Sequence, residues 1–275
     1  METFDLANNK NEICVILFSG SSQENHLADL LISFFDFKDY GVSPHNINVF
    51  VPNSSLSQLQ EYMPEATFFD CLDYSNLVPT LAGKYLINIV TGHGNVYGIQ
   101  NGSSSSISPT EYLAPIKKSK NFELAILVFG QCIAGVFNFL DARATKPIFC
   151  FIGATGLHSS LNYEVNPQIT SNVFLSYFTN WFSESQKRQD VTGDGVTDLL
   201  DCFKFAGSET SQLILKSRAK WYSQMRAHEG KLLGGNLTPL EESAAHTNVE
   251  ELLKLIHSVQ EPWILNSNQF RSVLL

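Results

Sequence analysis

Several things this sequence lacks bound what it can be. It holds five cysteines, an odd number, with no Cys-x-x-Cys pair. Neither a disulfide framework nor a zinc site is indicated by such usage. Lys and Arg number 18 against 27 Asp and Glu, for a formal net charge of -9, and no basic run occurs. A chain without a basic patch has no electrostatic footprint for nucleic acid or an anionic membrane surface, so neither is expected as a partner. No apolar run reaches the ~20 residues that span a bilayer. The opening METFDLANNKNE has no basic n-region and no apolar h-region, so no secretory signal is expected. A cytoplasmic, reducing location is the expectation these absences leave. No Gly-x-Ser-x-Gly elbow of an α/β hydrolase is present, and no internal repeat is found.

What is present suits one large α/β domain with appendages, or two small domains, since 275 residues at 44% hydrophobic content support a sizeable core. Two stretches organise it: LINIVTGHG at 86–94 and ILVFGQCIAG at 126–135. Each is a continuous apolar run of strand length, the pattern of a strand buried on both faces. Each stops at a small-residue turn, the first carrying His93 and Gly94, the second Cys132 and Gly135. Sites in open α/β sheets lie beyond the carboxyl ends of the strands. An imidazole and a thiol delivered to one such edge are the parts of a cysteine nucleophile with a histidine base. The N–H groups of Gly94 and Cys132 would be available to an oxyanion. Cys14 and Cys150 lie inside apolar runs and read as inert buried thiols.

The rest of the chain alternates strand and helix. Residues 12–19, 47–51 and 147–155 read as further strands, with a helix over 24–38 completing a right-handed βαβ unit. Residues 52–85 read as mixed and polar with a short helix near 54–61, and 100–108 as a turn-rich loop. Ser108, Pro109 and Glu111 form a helix start. Helices are expected over 133–143, 168–184, 199–228 and 247–259. Gly230, Gly234 and Gly235 mark a boundary between a main domain, 1–229, and a helical tail, 230–275, given a regulatory role.

The order and spacing of these motifs resemble the caspase–legumain clan of cysteine peptidases, with the legumain family closer than the true caspases. Gly92-His93-Gly94 is followed by Gly130-Gln131-Cys132 and Ala134-Gly135. The first strand ends in Gly20-Ser21-Ser22 before a helix carrying His26-Leu27-Ala28-Asp29. Gly41-Val42, Asn46-Ile47, Ala154-Thr155 and Ser159-Ser160 match further positions, and the similarity covers about residues 12–185. It implies a caspase-like three-layer α/β/α sandwich with a central, mostly parallel sheet in the order 2-1-3-4-5. It implies Cys132 as nucleophile, His93 as base or proton donor, and the Gly94 and Cys132 amides as oxyanion hole, with no cofactor needed for the chemistry. Asn25, His26, Ala154, Thr155 and Glu164 would line the substrate pocket. Three positions depart from the family: Ile133 stands where legumains carry an acidic residue, Asn25 where both families carry Arg, and Ser22 where legumains carry Asn. Glu164 matches a second acidic pocket residue, so a basic P1 side chain (Arg or Lys) is expected, with Asn second.

One further pattern stands apart. Asp190, Thr192, Asp194, the Val196 carbonyl, Asp198 and Asp201 fall on the ligand positions of a twelve-residue calcium loop, with Gly195 at the sharp turn. The alternative is a tight acidic turn whose Asp side chains cap the next helix. His158 reads as a surface residue just past a strand end. Lys187-Arg188 reads as a processing site of a zymogen or as a solvated loop. The expected activity is a cysteine endopeptidase acting on protein or peptide substrates, with a regulatory partner. The competing reading keeps the fold as a catalytically silent scaffold or a calcium-regulated binding module.

Overall fold

The computed structural model describes residues 3–102, 105–140, 146–166, 169–184, 188–257 and 260–275. Its centre is a seven-stranded sheet of β1 (Ile13–Ser19), β2 (Ile47–Val51), β3 (Thr67–Asp70), β4 (Tyr85–Thr91), β5 (Leu124–Phe129), β6 (Ile148–Gly153) and β7 (Trp263–Leu265). Across the sheet the order is β7-β6-β5-β4-β1-β2-β3. Every neighbouring pair is parallel except β7, which runs antiparallel to β6. Without the edge strands β3 and β7 this is the expected order of five.

The apolar runs form the sheet because their alternate side chains feed two cores. Val15, Leu17, Ile87, Ile89, Ile126 and Val128 point into one. Ile16, Phe18, Leu86, Val90, Leu127 and Phe129 point into the other. Helix α1 (Glu24–Tyr40) seals the first core with Leu27, Leu30, Phe34 and Phe37. Helix α2 (Pro109–Lys118) seals the second with Tyr112, Leu113 and Ile116, and starts at the expected Ser108–Glu111 capping box. Helices α3 (Val173–Ser183) and α4 (Leu199–Leu233) add to the first face, so the chain is a mixed α/β protein in three layers. The one polar residue deep in β4, Asn88, is satisfied by donating to the hydroxyls of Tyr74 and Tyr112 at 3.2 and 3.0 Å.

Several elements differ from expectation. Residues 67–70 are a strand, although TFFD is short and only half-buried at the sheet edge. Within the segment expected as a loop at 100–108, residues 100–101 and 105–107 lie in a three-stranded antiparallel meander of Gly94–Asn95, Gly98–Asn101 and Ser105–Ile107. The helix expected from 168 begins at Val173, and Ile169–Asn172 instead pairs with Asn162–Asn166 as a hairpin. After Cys132 the chain makes a short 3-10 stretch over Ala134–Phe139, and 141–145 lie outside the described residues. Helix α4 runs through Gly230, so that glycine marks no break. Residues 230–275, expected as a helical tail, are helical over α5 (Pro239–Ile256), which starts behind a Thr238 capping box. They then return to the sheet as β7, and Val273–Leu274 pairs with Phe4–Asp5.

Candidate active site

Strands β4 and β5 are parallel neighbours, with Val90 beside Phe129 at their carboxyl ends. The chain leaves both at the same edge of the sheet. Gly92 turns it with φ +113, a conformation that costs residues with a Cβ. His93 follows and is exposed, while Cys132, three residues beyond β5, is half-buried. Both line one cleft of about 150 Å³, together with Asn25, His26, Ser160 and Asn162. The two turns touch: a Cβ on Gly94 would stand 2.1 Å from the Cys132 carbonyl oxygen and 2.6 Å from Gln131 Cγ. The Gln100 N–H donates to the His93 carbonyl at 2.9 Å and fixes the first turn against the meander.

Cys132 is the only one of the five cysteines that is not buried. Burial pushes Cys14 and Cys71 up to about 12 and raises Cys150 and Cys202 as well. Cys132 Sγ accepts a hydrogen bond from the Ser160 N–H at 3.3 Å. Its own amide N–H donates to no acceptor among the described residues. The next residue, Ile133, has φ +57, the left-handed region that a β-branched side chain enters at a cost of ~1–2 kcal/mol. It is held there as its N–H donates to the His158 carbonyl at 2.8 Å, while the Gly135 N–H donates to the Gly156 carbonyl at 2.9 Å. Strain of this kind concentrates at functional turns. His158 itself is exposed.

His26, on the first turn of α1, is 4% exposed, and its ring meets His93 edge to face at 4.9 Å between centroids. Burial, then the charge of His93, pushes the His26 imidazole down to about 4, so it is neutral at pH 7. One turn further along α1, Asp29 is buried and accepts the hydroxyl of Thr91, the hydroxyl of Ser171 at 2.6 Å and the Asn172 N–H at 2.7 Å. Its burial raises it to about 6, against the pull of those three donors.

The cleft gathers some expected substrate-pocket residues and leaves others out. Asn25 and His26 line it with His93 and Cys132. Ala154 and Thr155 do not: both are fully buried, and the Thr155 carbonyl accepts the Trp263 indole N–H at 2.9 Å. Glu164 has its backbone in the hairpin opposite Thr170, and its side chain lies outside the described residues. So does Lys187 of the Lys187-Arg188 pair. Sequence reasoning passed over Asn172, whose carboxamide reaches Gly130 and Ser160. Its signal was present, since an Asn immediately before an apolar helical run is a favoured N-cap.

In the 190–201 loop the carboxylates of Asp190, Asp198 and Asp201 are occupied by backbone N–H groups of the loop and of the start of α4. Asp190 accepts the N–H groups of Gly193, Asp194 and Gly195. Asp201 accepts those of Thr192 and Asp198, and Asp198 caps α4. Asp194 pairs with Arg271. Among the described residues, no group of three or more His, Cys, Asp or Glu side chains is arranged to hold a metal ion. No helix is long and apolar enough to cross a membrane among the described residues.

No family model matches the chain, and no curated protein matches it.

Proposed function

We propose that this chain is a cysteine endopeptidase of caspase–legumain-like architecture that uses Cys132 as nucleophile and His93 as proton carrier. One observation carries the reading: the only thiol that is not buried shares a cleft with an exposed imidazole, at the carboxyl ends of adjacent parallel strands. In this scheme the Cys132 thiol gives its proton to His93, and the sulfur attacks the scissile carbonyl carbon. The developing oxyanion is met by the N–H groups of Cys132 and Gly94. The His93 imidazolium protonates the leaving amine, and water, deprotonated by His93, hydrolyses the thioester. Neutral His26 beside His93 forms one wall and adds no competing charge.

The substrate class is a protein or peptide with Arg or Lys at P1, carried by Glu164, and Asn second. A zymogen-like resting form opened by a trigger, such as a partner or cleavage near Lys187-Arg188, completes this reading. Calcium in the 190–201 loop is a separate proposal resting on the spacing of its oxygen ligands, and the chemistry at Cys132 does not depend on it.

Labelling with an acyloxymethyl-ketone peptide, paired with a peptide-library cleavage assay, tests the enzyme. The expected result is label confined to Cys132, lost in Cys132→Ala and at least a hundredfold slower in His93→Ala. Cleavage only after Asp overturns the pocket. Label that is indifferent to His93, with no peptide cut, leaves the silent scaffold.

A further inference from the structure

The sulfur of Cys132 is met by a backbone N–H from an irregular loop, and something must hold that loop. The donor, Ser160, lies between the end of β6 and the hairpin at 162. Its register relative to Cys132 has to be set by contacts from elsewhere. The Ile133 N–H on the His158 carbonyl ties the loop to the turn after Cys132, and Asn172 ties it to the strand end before Cys132. Asn172 Nδ2 donates to the Gly130 carbonyl at 2.7 Å and also to Ser160 Oγ. Gly130 is two residues before the thiol, and Ser160 carries the N–H that reaches it. One carboxamide therefore spans the two chain segments on either side of the sulfur.

The other groups of Asn172 are equally committed. Oδ1 accepts the Leu175 N–H at 3.0 Å and caps α3, and the Asn172 N–H donates to Asp29 at 2.7 Å. The residue is 2% exposed. The orientation of the amide follows from its partners, because a carbonyl on one side requires Nδ2 and an N–H on the other requires Oδ1. Capping alone would be served by Ser, Thr or Asp. Only Asn caps the helix and still offers two hydrogens to the thiol side. Asn172 is not among the residues that line the cleft, so it does not meet substrate there.

We infer that Asn172 is a positioning residue for the Cys132 sulfur: through Gly130 and Ser160 it holds thiol and loop amide at the separation where the amide donates to Sγ. The inference rests on the reading of Cys132 as nucleophile, and deepens it by naming what aligns the nucleophile. An N–H donor aimed at sulfur favours the thiolate, the reactive form. Losing that alignment lowers the thiolate fraction at a given pH without removing either reacting group.

The test is the rate of Cys132 alkylation by iodoacetamide against pH, read on the Cys132 peptide, in full-length wild type, Asn172→Ser, Asn172→Asp and Ser160→Ala. Ser at 172 keeps a capping oxygen but lacks the carboxamide, and Asp presents an acceptor to the Gly130 carbonyl. Alkylation at pH 7 should fall about tenfold in both 172 variants. The midpoint of the profile should rise by about one pH unit, the same factor. Ser160→Ala, which keeps the donating N–H, should fall between these and wild type. A lower melting temperature with an unchanged midpoint marks a purely structural residue and overturns the inference. Wild-type Cys132 that does not alkylate at all overturns it too. Normal wild-type alkylation with the expected midpoint shifts, but no peptide cleaved, supports the positioning role while the peptidase reading falls.

Discussion

Asp29 and Asn172 stand 143 residues apart, and their contact joins the two sides of the cleft. Asp29 Oδ1 accepts the Asn172 N–H at 2.7 Å. Its other oxygen accepts the hydroxyl of Thr91, two residues before His93. Asn172 passes the constraint on to Gly130, two residues before Cys132. The imidazole and thiol are thus set by one buried carboxylate as well as by the pairing of β4 with β5.

A pH experiment separates Asp29 from its helical neighbour His26. The imidazole of His26 falls from its ordinary 6.5 to about 4 in the fold, so below pH 6.5 the unfolded chain binds more protons. Stability is therefore lost as the pH drops from 6.5 towards 4. Asp29 rises from 3.8 to about 6, so the folded chain binds more protons, and stability is gained as the pH drops through 6 towards 3.8. Each amounts to about 3 kcal/mol at most, and the two oppose each other. Urea midpoints at pH 4.5, 5.5 and 7 should be nearly level in wild type as far as this pair goes. In Asp29→Asn they should fall steeply towards acid, and in His26→Gln they should rise. Parallel profiles for the two variants would refute the assignment.

Gly94→Ala tests the contact between the turns. The added Cβ would stand 2.1 Å from the Cys132 carbonyl oxygen, which is backbone and cannot swing aside. One turn must move, at an expected cost of about 1–3 kcal/mol. Alkylation of Cys132 should slow together with any peptidase activity. An alanine variant with wild-type melting and wild-type thiol reactivity would show that the turns do not touch in solution.

How far the sequence announced this arrangement depends on which force sets each part. β1, β2, β4 and β5 are apolar at most positions because both faces are buried, so they were readable as strands despite Asn48 and Asn88, and the turns after β4 and β5 exposed His93 and Cys132 to inspection. The half-buried TFFD of β3 and the three residues of β7 carry too little pattern for that, and both owe their place to a neighbouring edge. The Ile169–Asn172 strand reads as part of the helix behind it, since Ile169 stands at helical i,i+4 spacing from Val173 across the junction. Asp29 was visible only as part of a motif. Its partners lie 62, 142 and 143 residues away, and such pairing leaves no local trace.

Trp263 ties β7, the last strand to join the central sheet, to the loop behind Cys132. Its ring lies against Gly153, where a Cβ would meet it at 2.1 Å, and its indole N–H donates to the Thr155 carbonyl. Trp263→Ala should cost about 3 kcal/mol, the low end for a tryptophan because the ring is only half-buried. It should also loosen β7 and uncover the edge of β6, giving concentration-dependent association by light scattering. A loss under about 1 kcal/mol with no association would mean that β7 contributes little to the sheet.

Calcium in the acidic loop would compete with an arginine. Asp194 occupies position 5 of the loop spacing, and its carboxylate is paired with Arg271 from the C-terminal segment. Asp190 is held well ionised by the N–H groups it accepts, that of Gly195 first. A divalent ion would have to take Asp194 from Arg271. Both side chains are partly exposed, and such a pair is worth at most about 1 kcal/mol, or roughly fivefold in affinity. Calorimetric titration of wild type and Arg271→Ala with Ca²⁺ should show binding up to about fivefold tighter in the variant. No heat from either protein at millimolar calcium would end the calcium reading. The loop would then be a capped turn, closed by its own amides and by Arg271, that anchors the C-terminal segment beside the start of α4.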